Sequence, residues 1–314
     1  MSVAVPAASE ATTPFGDRLV DRVLARESQL ILGIDPDLRA LWPQATDGPD
    51  ADGPPAERAA VAVHRHCRAL IDAVAPACVG AKLQLACFER LGPPGWRVLH
   101  ETAAYARDAG LLVIADGKRG DIDVTATAYG QALFGGVASP FGRLPGLGAD
   151  LATVNPLMGS DAIAPLVAAA RAGGGGVLLL VRTSNPGAAD VEDLALADGG
   201  TVAERLATLV DHFGGQGIGR HGLADVGAVV GATAPGHLLR LRELMPRAPL
   251  LLPGVGAQGG RVEDLAPAFA PGRAGGLISA SRSIASAPAL DGADPATAAR
   301  REAERLRAAA WSLA

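Results

Sequence analysis

The sequence has few of the residues that build disulfide frameworks or metal centres. Its three cysteines, Cys67, Cys78 and Cys87, are odd in number and form no CxxC pair, so neither disulfides nor a zinc site is expected. His64 and His66 stand two residues apart, a spacing that points their side chains to different faces of a helix, and we expect both to be solvated. No metal site is therefore predicted.

Long apolar runs and an excess of positive charge are also missing. Stretches such as residues 177–181 are too short to cross a bilayer, and the first residues, MSVAVPAASEATTPFGDR, show no basic segment followed by an apolar one. The net charge of -5 provides no basic field that would hold nucleic acid or an anionic membrane. We expect a cytoplasmic protein with neither of these partners.

What the sequence does have is 49% hydrophobic residues, arranged in short runs that are bounded by Gly, Pro or Asp and separated by amphipathic segments. This rhythm is typical of repeated βα units. The runs are nearly continuous in hydrophobicity, as in parallel strands that are covered on both faces. The predicted strands are residues 30–34, 78–83, 111–115, 151–154, 177–181, 226–230, 250–252 and 276–279.

Eight βα units predict a (β/α)8 TIM barrel with extended loops. A doubly wound sheet would usually show a phosphate loop after its first strand, and nothing after Ile34 resembles one. No linker interrupts the chain, so we expect a single domain over residues 1–314, with an N-terminal helix and a C-terminal helical tail. Helices are predicted at residues 18–27, 56–74, 96–109, 235–245 and 294–314, and irregular loop insertions at 43–55, 135–150 and 185–200.

Charged residues follow the third predicted strand, in the sequence VIADGKRGDI at residues 113–122. In a barrel this position is the catalytic rim. The two-residue period of a strand projects Asp116 and Lys118 to one side, and glycines at 117 and 120 let the backbone curve so that Asp121 can approach. The pattern predicts a lysine between two carboxylates, although a solvated turn with surface salt bridges fits the isolated pattern equally well.

A glycine-rich segment, LLPGVGAQGG at residues 251–260, follows the seventh predicted strand. It contains GxGxxG but lacks the following βαβ unit of a dinucleotide site. In a barrel, the loops after strands seven and eight commonly bind phosphate through backbone N–H groups, and Gly256 and Gly259 would allow close approach. Arg282, after the eighth strand, could then pair with the phosphate, the alternative being an ordinary surface arginine.

Two strands carry charge that burial alone would not select. Asp35 follows the first strand, and Lys82 lies in the second. Because a buried charge is costly unless it is paired, we expect both to face the barrel mouth and to pair with each other and with Asp116. An exposed Lys82 on a shifted strand is the alternative. Ser184, at the end of the fifth strand, could read the edge of a polar ring.

In this order, the motifs resemble the orotidine 5′-phosphate decarboxylase family, in particular its longer bacterial branch, over about residues 30–284. The resemblance implies a homodimeric, cofactor-free carboxy-lyase that converts orotidine 5′-phosphate to UMP and CO2 in pyrimidine biosynthesis. Residues 135–150 and 185–200 have no counterpart that aligns with the family.

The resemblance also implies roles for individual residues. Asp35 would hold ribose hydroxyls, and Lys82 would bridge the ribose and the carboxylates. Asp116 and Lys118 would form the core of the charged array, with Lys118 stabilising a carbanion and protonating it. Asp121, Ile122 and Thr125 would reach the active site of the partner subunit. The other expected substrate contacts are Ser184 beside the pyrimidine, Pro253 and Gly256 in the glycine-rich segment, and Gln258 and Arg282 at the phosphate.

Two other functions remain open. A Mg²⁺-dependent barrel of the same broader group, such as a 3-keto-gulonate 6-phosphate decarboxylase or a hexulose-phosphate synthase, shares D-x-K-x-x-D. Those relatives place a carboxylate metal ligand where this chain has Lys82, whose ammonium would repel Mg²⁺. The second alternative is a non-catalytic barrel that only binds a nucleotide.

Overall fold

The computed structural model describes residues 13–47, 53–288 and 293–314. Its principal strands are β1 Leu30–Ile34, β2 Gly80–Gln84, β3 Leu112–Arg119, β6 Leu151–Val154, β7 Gly176–Arg182, β8 Val226–Val230, β9 Leu250–Pro253 and β10 Gly276–Ala280. They close into a barrel in the order β1-β10-β9-β8-β7-β6-β3-β2, and every neighbouring pair is parallel. The predicted (β/α)8 barrel is confirmed.

Helices surround the barrel and connect its strands. The α-helices are Phe15–Arg26, Pro43–Thr46, Pro55–Val74, Leu85–Glu89, Pro93–Asp108, Asp123–Leu133, Ser160–Ala172, Val202–Gly214, Leu238–Leu244, Arg282–Ala285 and Pro295–Leu313. The 3-10 helices are Ala75–Ala77, Pro186–Asp190, Pro235–His237, Val262–Phe269 and Arg273–Gly275. None of the helices within the described ranges is long and apolar enough to span a bilayer.

The barrel interior and the helical layer form two apolar clusters. Alternate strand residues face inward, and helix Phe15–Arg26 closes the amino-terminal end of the barrel with Phe15, Leu19 and Val23, all almost fully buried. Each such side chain stabilises the fold by about 1.5–3 kcal/mol. With that end filled, polar side chains collect at the opposite end, where the strands finish.

The predicted strand positions agree with the structure, with one informative difference. β1, β6 and β8 begin and end where the sequence places them. β3, however, continues four residues beyond the predicted end at Ala115, because its polar end still pairs with both neighbouring strands, Gln84 facing Asp116 on one side and Val154 facing Arg119 on the other. Asp116 and Lys118 are therefore part of the strand itself.

Three expectations about the periphery need correction or limits. Residues 135–150 are not wholly irregular, since β4 Val137–Ser139 and β5 Gly142–Leu144 form an antiparallel hairpin. The predicted insertion 43–55 contains helix Pro43–Thr46, and its residues 48–52 lie outside the described residues. Residues 185–200 are not wholly irregular either, since they contain the 3-10 helix Pro186–Asp190. The C-terminal helix, by contrast, is confirmed as Pro295–Leu313.

The expectation of a solvated His66 is wrong. Its side chain is buried in helix Pro55–Val74, where Nδ1 accepts a 3.1 Å hydrogen bond from the backbone N–H of Trp42. Burial lowers the pKa of His66 to about 4, so the ring is neutral and serves as a hydrogen-bond acceptor. Helical spacing gives no indication of this contact, which depends on the loop after β1.

Candidate active site

Asp116 and Lys118 lie on a β-bulge near the end of β3. Ala115 faces Ala152 on β6 and Arg119 faces Val154, so residues 116–118 stand opposite the single residue Thr153. Lys118 adopts a left-handed backbone conformation, with φ of 48°. The bulge re-aims the two side chains toward each other, and Lys118 Nζ donates a 2.7 Å hydrogen bond to Asp116 Oδ1.

Asp116 accepts hydrogen bonds from four side chains. Its Oδ1 accepts from Lys118 Nζ at 2.7 Å and from Thr153 Oγ1 at 2.9 Å. Its Oδ2 accepts from Lys82 Nζ at 2.8 Å and from Gln84 Nε2 at 3.2 Å. Two donors on each oxygen fix the orientation of this carboxylate.

Electrostatic interactions keep Asp116 and Lys82 ionised although both side chains are buried. Burial alone would raise the pKa of Asp116, but the ammonium groups of Lys82 and Lys118 outweigh it and lower that pKa to about 2. Burial alone would lower the pKa of Lys82, but the carboxylates of Asp116 and Asp35 outweigh it and raise the pKa. At neutral pH the cluster holds fixed charges next to an open cavity.

Asp35 extends the charged cluster toward β10. Its Oδ1 lies 3.4 Å from Lys82 Nζ, and its Oδ2 accepts a 2.7 Å hydrogen bond from Ser281 Oγ. The expected pairing of Asp35, Lys82 and Asp116 is therefore present. Lys82 and Lys118 are the only two lysines in the whole sequence, and the fold brings both to one carboxylate.

The cavity above this cluster has a volume of about 450 Å³. Its apolar floor, formed by Leu180, Val229 and Leu251, continues the barrel core, which suits a flat ring. Of the residues singled out in the sequence, eight line the cavity: Asp35, Lys82, Asp116, Lys118, Ser184, Pro253, Gln258 and Arg282.

The glycine-rich segment and Arg282 form the end of the cavity away from β3. Gly254 and Gly256 have φ values of 102° and 77°, which L side chains rarely adopt, so glycine suits both positions. Gly256 is not itself a lining residue. Arg282 lines the cavity and has no carboxylate partner in residues 13–47, 53–288 and 293–314, which leaves its guanidinium available to an anion.

Asp121, Ile122 and Thr125 do not join this cavity. The Asp121 carboxylate accepts a hydrogen bond from the backbone N–H of Ile122 and makes no contact with Lys118. The expected lysine between two carboxylates is thus not formed within one chain, which instead holds one carboxylate between two lysines. Ile122 and Val124 are 53% and 76% exposed, so this segment is open to a neighbouring molecule.

Sequence reasoning missed how residues 185–200 are held at the cavity. Arg182 is buried at the end of β7 and donates to both carboxylate oxygens of Asp193, at 2.7 and 3.0 Å. Glu192, which lines the cavity, accepts from the backbone N–H of Thr183 at 2.8 Å and from its hydroxyl at 3.0 Å. The sequence does contain a signal for this contact, because Arg182 is a charged residue at the end of an apolar strand.

Fold and site together define a (β/α)8 barrel that carries ionised lysine and aspartate side chains at the carboxyl ends of its strands, which is where barrel enzymes place their catalytic residues. A sequence model of the orotidine 5′-phosphate decarboxylase / HUMPS family matches residues 28–301. The chain belongs to this family.

Individual relatives agree with that assignment. The chain is 41% identical to orotidine 5′-phosphate decarboxylase of Deinococcus radiodurans over 297 residues, which cover 94% of this chain and 96% of the relative. It is 40% identical to the enzyme of the same name from Rhodopirellula baltica over 86% of this chain and 87% of the relative. The structure of Leishmania donovani OMP decarboxylase superposes with a TM-score of 0.70 and 30% identity, over 96% of this chain and 98% of that one.

Proposed function

We propose that this chain is a carboxy-lyase that converts orotidine 5′-phosphate to UMP and CO2, a step of pyrimidine biosynthesis. The observation that carries the proposal is the ionised cluster of Lys82, Asp116 and Lys118 beside a cavity with an apolar floor. At the far end of the cavity lies Arg282, which has no carboxylate partner among the residues that the structure describes. A nucleotide has the matching parts: a flat ring, a ribose and an anionic phosphate.

Lys118 is the proposed proton donor. When the bond between C6 and the carboxylate breaks, the electron pair stays on C6, where delocalisation is poor. A fixed ammonium stabilises this charge and then transfers a proton to C6, after which the neutral amine regains a proton from solvent. Asp116 cannot readily take part in proton transfer, because its low pKa keeps it ionised. Its role is to position Lys118 and, with Asp121 of the partner subunit, to crowd the substrate carboxylate.

The other proposed contacts follow the length of the cavity. Asp35 lies between Lys82 and Ser281, a position from which it can accept hydrogen bonds from ribose hydroxyls. Ser184 lies at the end that would hold the pyrimidine, while Pro253, Gly256, Gln258 and Arg282 are assigned to the phosphate end. Binding energy from the phosphate would order the site around the reacting ring.

A homodimer is proposed to complete the site. Asp121, Ile122 and Thr125 lie outside their own cavity on an exposed segment, and we assign them to the active site of the partner subunit. Mixing two inactive variants, Lys118→Ala and Asp121→Ala, tests this assignment. Mixed dimers would contain one site with both residues intact, so activity should return; no recovery after subunit exchange is verified would contradict a shared site.

The decisive experiment is to add purified protein to orotidine 5′-phosphate and to follow the ultraviolet absorbance as UMP forms. Turnover that persists in EDTA is expected, since the ammonium of Lys82 stands 2.8 Å from the carboxylate that a Mg²⁺ ion would need. Loss of activity in EDTA, with restoration by Mg²⁺, would favour a sugar-phosphate decarboxylase or aldolase. Binding of UMP without turnover would favour a nucleotide-binding barrel.

We further propose that residues 1–314 form one domain in the cytoplasm. Helix Pro295–Leu313 supports the first point, because Ala299, Ala303 and Leu306 pack into the same apolar cluster as β1. The unpaired state of all three cysteines suits a reducing compartment.

A further inference from the structure

Thr153 connects the two groups on which the chemistry depends. It is 1% exposed at the centre of β6, directly opposite the bulge in β3. Its hydroxyl accepts a 2.9 Å hydrogen bond from the backbone N–H of Lys118 and donates a 2.9 Å hydrogen bond to Asp116 Oδ1. One side chain thus contacts the backbone of the proposed acid and the carboxylate that orients it.

The bulge explains why a hydroxyl is required at this position. The register of β3 against β6 shifts between Ala115 and Arg119, so the regular ladder of backbone hydrogen bonds between the two strands is interrupted at Lys118. A backbone N–H without an acceptor is costly where water is excluded, and here the Thr153 hydroxyl accepts the hydrogen bond from the N–H of Lys118. The left-handed φ of Lys118 is itself unfavourable for a residue with a side chain, so it needs surrounding contacts to hold it.

We propose that Thr153 is a positioning residue, whose hydroxyl holds the backbone of Lys118 in its left-handed conformation and keeps the Asp116 carboxylate aimed at the Lys118 ammonium. The inference rests on the proposed function, in which Lys118 delivers the proton. Thr153 lines the cavity floor below these groups, and its single hydrogen is already donated to Asp116, so it has no proton to offer substrate.

Thr153→Val is the most direct test, because valine has nearly the same shape and suits a strand but can neither accept nor donate. We expect kcat for orotidine 5′-phosphate to fall roughly 10- to 100-fold, since a lost buried hydrogen bond and a displaced lysine both act on the transition state. The dissociation constant for UMP should stay within about threefold, because UMP binding does not require proton delivery. Thr153→Ser, which keeps the hydroxyl, should restore kcat to within about threefold of the wild type.

A matched control is Thr102→Val, which removes the hydroxyl of another fully buried threonine, in helix Pro93–Asp108, and should leave kcat unchanged. Counting folded sites by UMP titration corrects kcat for any loss of folded protein. A Thr153→Val enzyme with wild-type kcat per site, or a Thr153→Ser enzyme as impaired as Thr153→Val, would overturn the inference. A wild-type protein without decarboxylase activity would instead overturn the proposed function.

Discussion

Lys82 and Asp116 form a nearly fully buried ion pair, in which the ammonium lies 2.8 Å from Oδ2. The two residues come from neighbouring strands, β2 and β3, so the barrel itself fixes their separation. Removing one member of such a pair leaves the other charge without water and without its partner. Under the proposed function, stability and activity therefore depend on the same contact.

Asp116→Asn should weaken both properties. We expect the free energy of unfolding to fall by about 3–5 kcal/mol, because the Lys82 charge is left buried, and kcat to fall roughly 100-fold or more. Urea unfolding and the ultraviolet decarboxylation assay measure the two effects. Asp225→Asn is a matched control, since Asp225 is buried and paired with Arg171 at the start of β8, away from the cavity. It should lower stability and leave kcat unchanged; equal loss of kcat in both variants would contradict a catalytic role for Asp116.

The free energy of unfolding should depend on pH in the way that the lowered pKa of Asp116 predicts. Its folded-state pKa of about 2 lies below the ordinary value of 3.8, so its carboxylate stabilises the fold above pH 4 and loses this effect as the pH falls through 2. Between pH 6 and pH 3, the difference in unfolding free energy between wild type and Asp116→Asn should narrow by about 1 kcal/mol. Urea titrations at several pH values measure the difference, and a constant difference would argue against the lowered pKa.

Two substitutions of Lys118 distinguish the contribution of its positive charge from its role as proton donor. Lys118→Ala should abolish measurable turnover and leave UMP binding largely intact, because the side chain is 44% exposed and contributes little to the core. Lys118→Arg keeps a positive charge, but a guanidinium does not release its proton near neutral pH. It should therefore bind orotidine 5′-phosphate and still fail to turn it over. Calorimetry and single-turnover assays distinguish the outcomes, and an active Lys118→Ala enzyme would end the assignment.

Arg282→Ala should impair only substrates that carry a phosphate. A bidentate, charge-assisted contact is worth enough to lower kcat/KM for orotidine 5′-phosphate roughly 100-fold. Orotidine, which lacks the phosphate, should react equally slowly with wild type and variant. Arg261→Ala is the control, because Arg261 is an exposed arginine that pairs with Glu263 close to the same loop. A similar loss of kcat/KM with both substrates would contradict a contact between Arg282 and the phosphate.

Asp193→Asn should loosen the segment 185–200 where Arg182 holds it. We expect KM for orotidine 5′-phosphate to rise roughly 10-fold with kcat within threefold, because the loop must be ordered again at the expense of binding energy. Asp198→Asn on the same segment is the control, since Asp198 forms only an exposed pair with Arg205. If both variants keep the wild-type KM, the segment does not contribute to the site.

The sequence predicts the barrel well because its strands are continuous apolar runs, and β1, β6 and β8 were located to the residue. It also predicts the pairing of Lys82, since a charge in an apolar strand requires a partner. Thr153 could not be found in this way, because a threonine in a strand is ordinary and its importance depends on a bulge in a different strand. Local chain curvature predicts Asp121 beside its own Lys118, whereas the folded chain directs this segment outward.

Helix Phe15–Arg26 closes one end of the barrel, and this closure limits the routes by which the products can leave the site. The CO2 that forms in the cavity cannot leave through its packed floor of Leu180, Val229 and Leu251. CO2 and UMP must therefore both leave through the opening that admits the substrate.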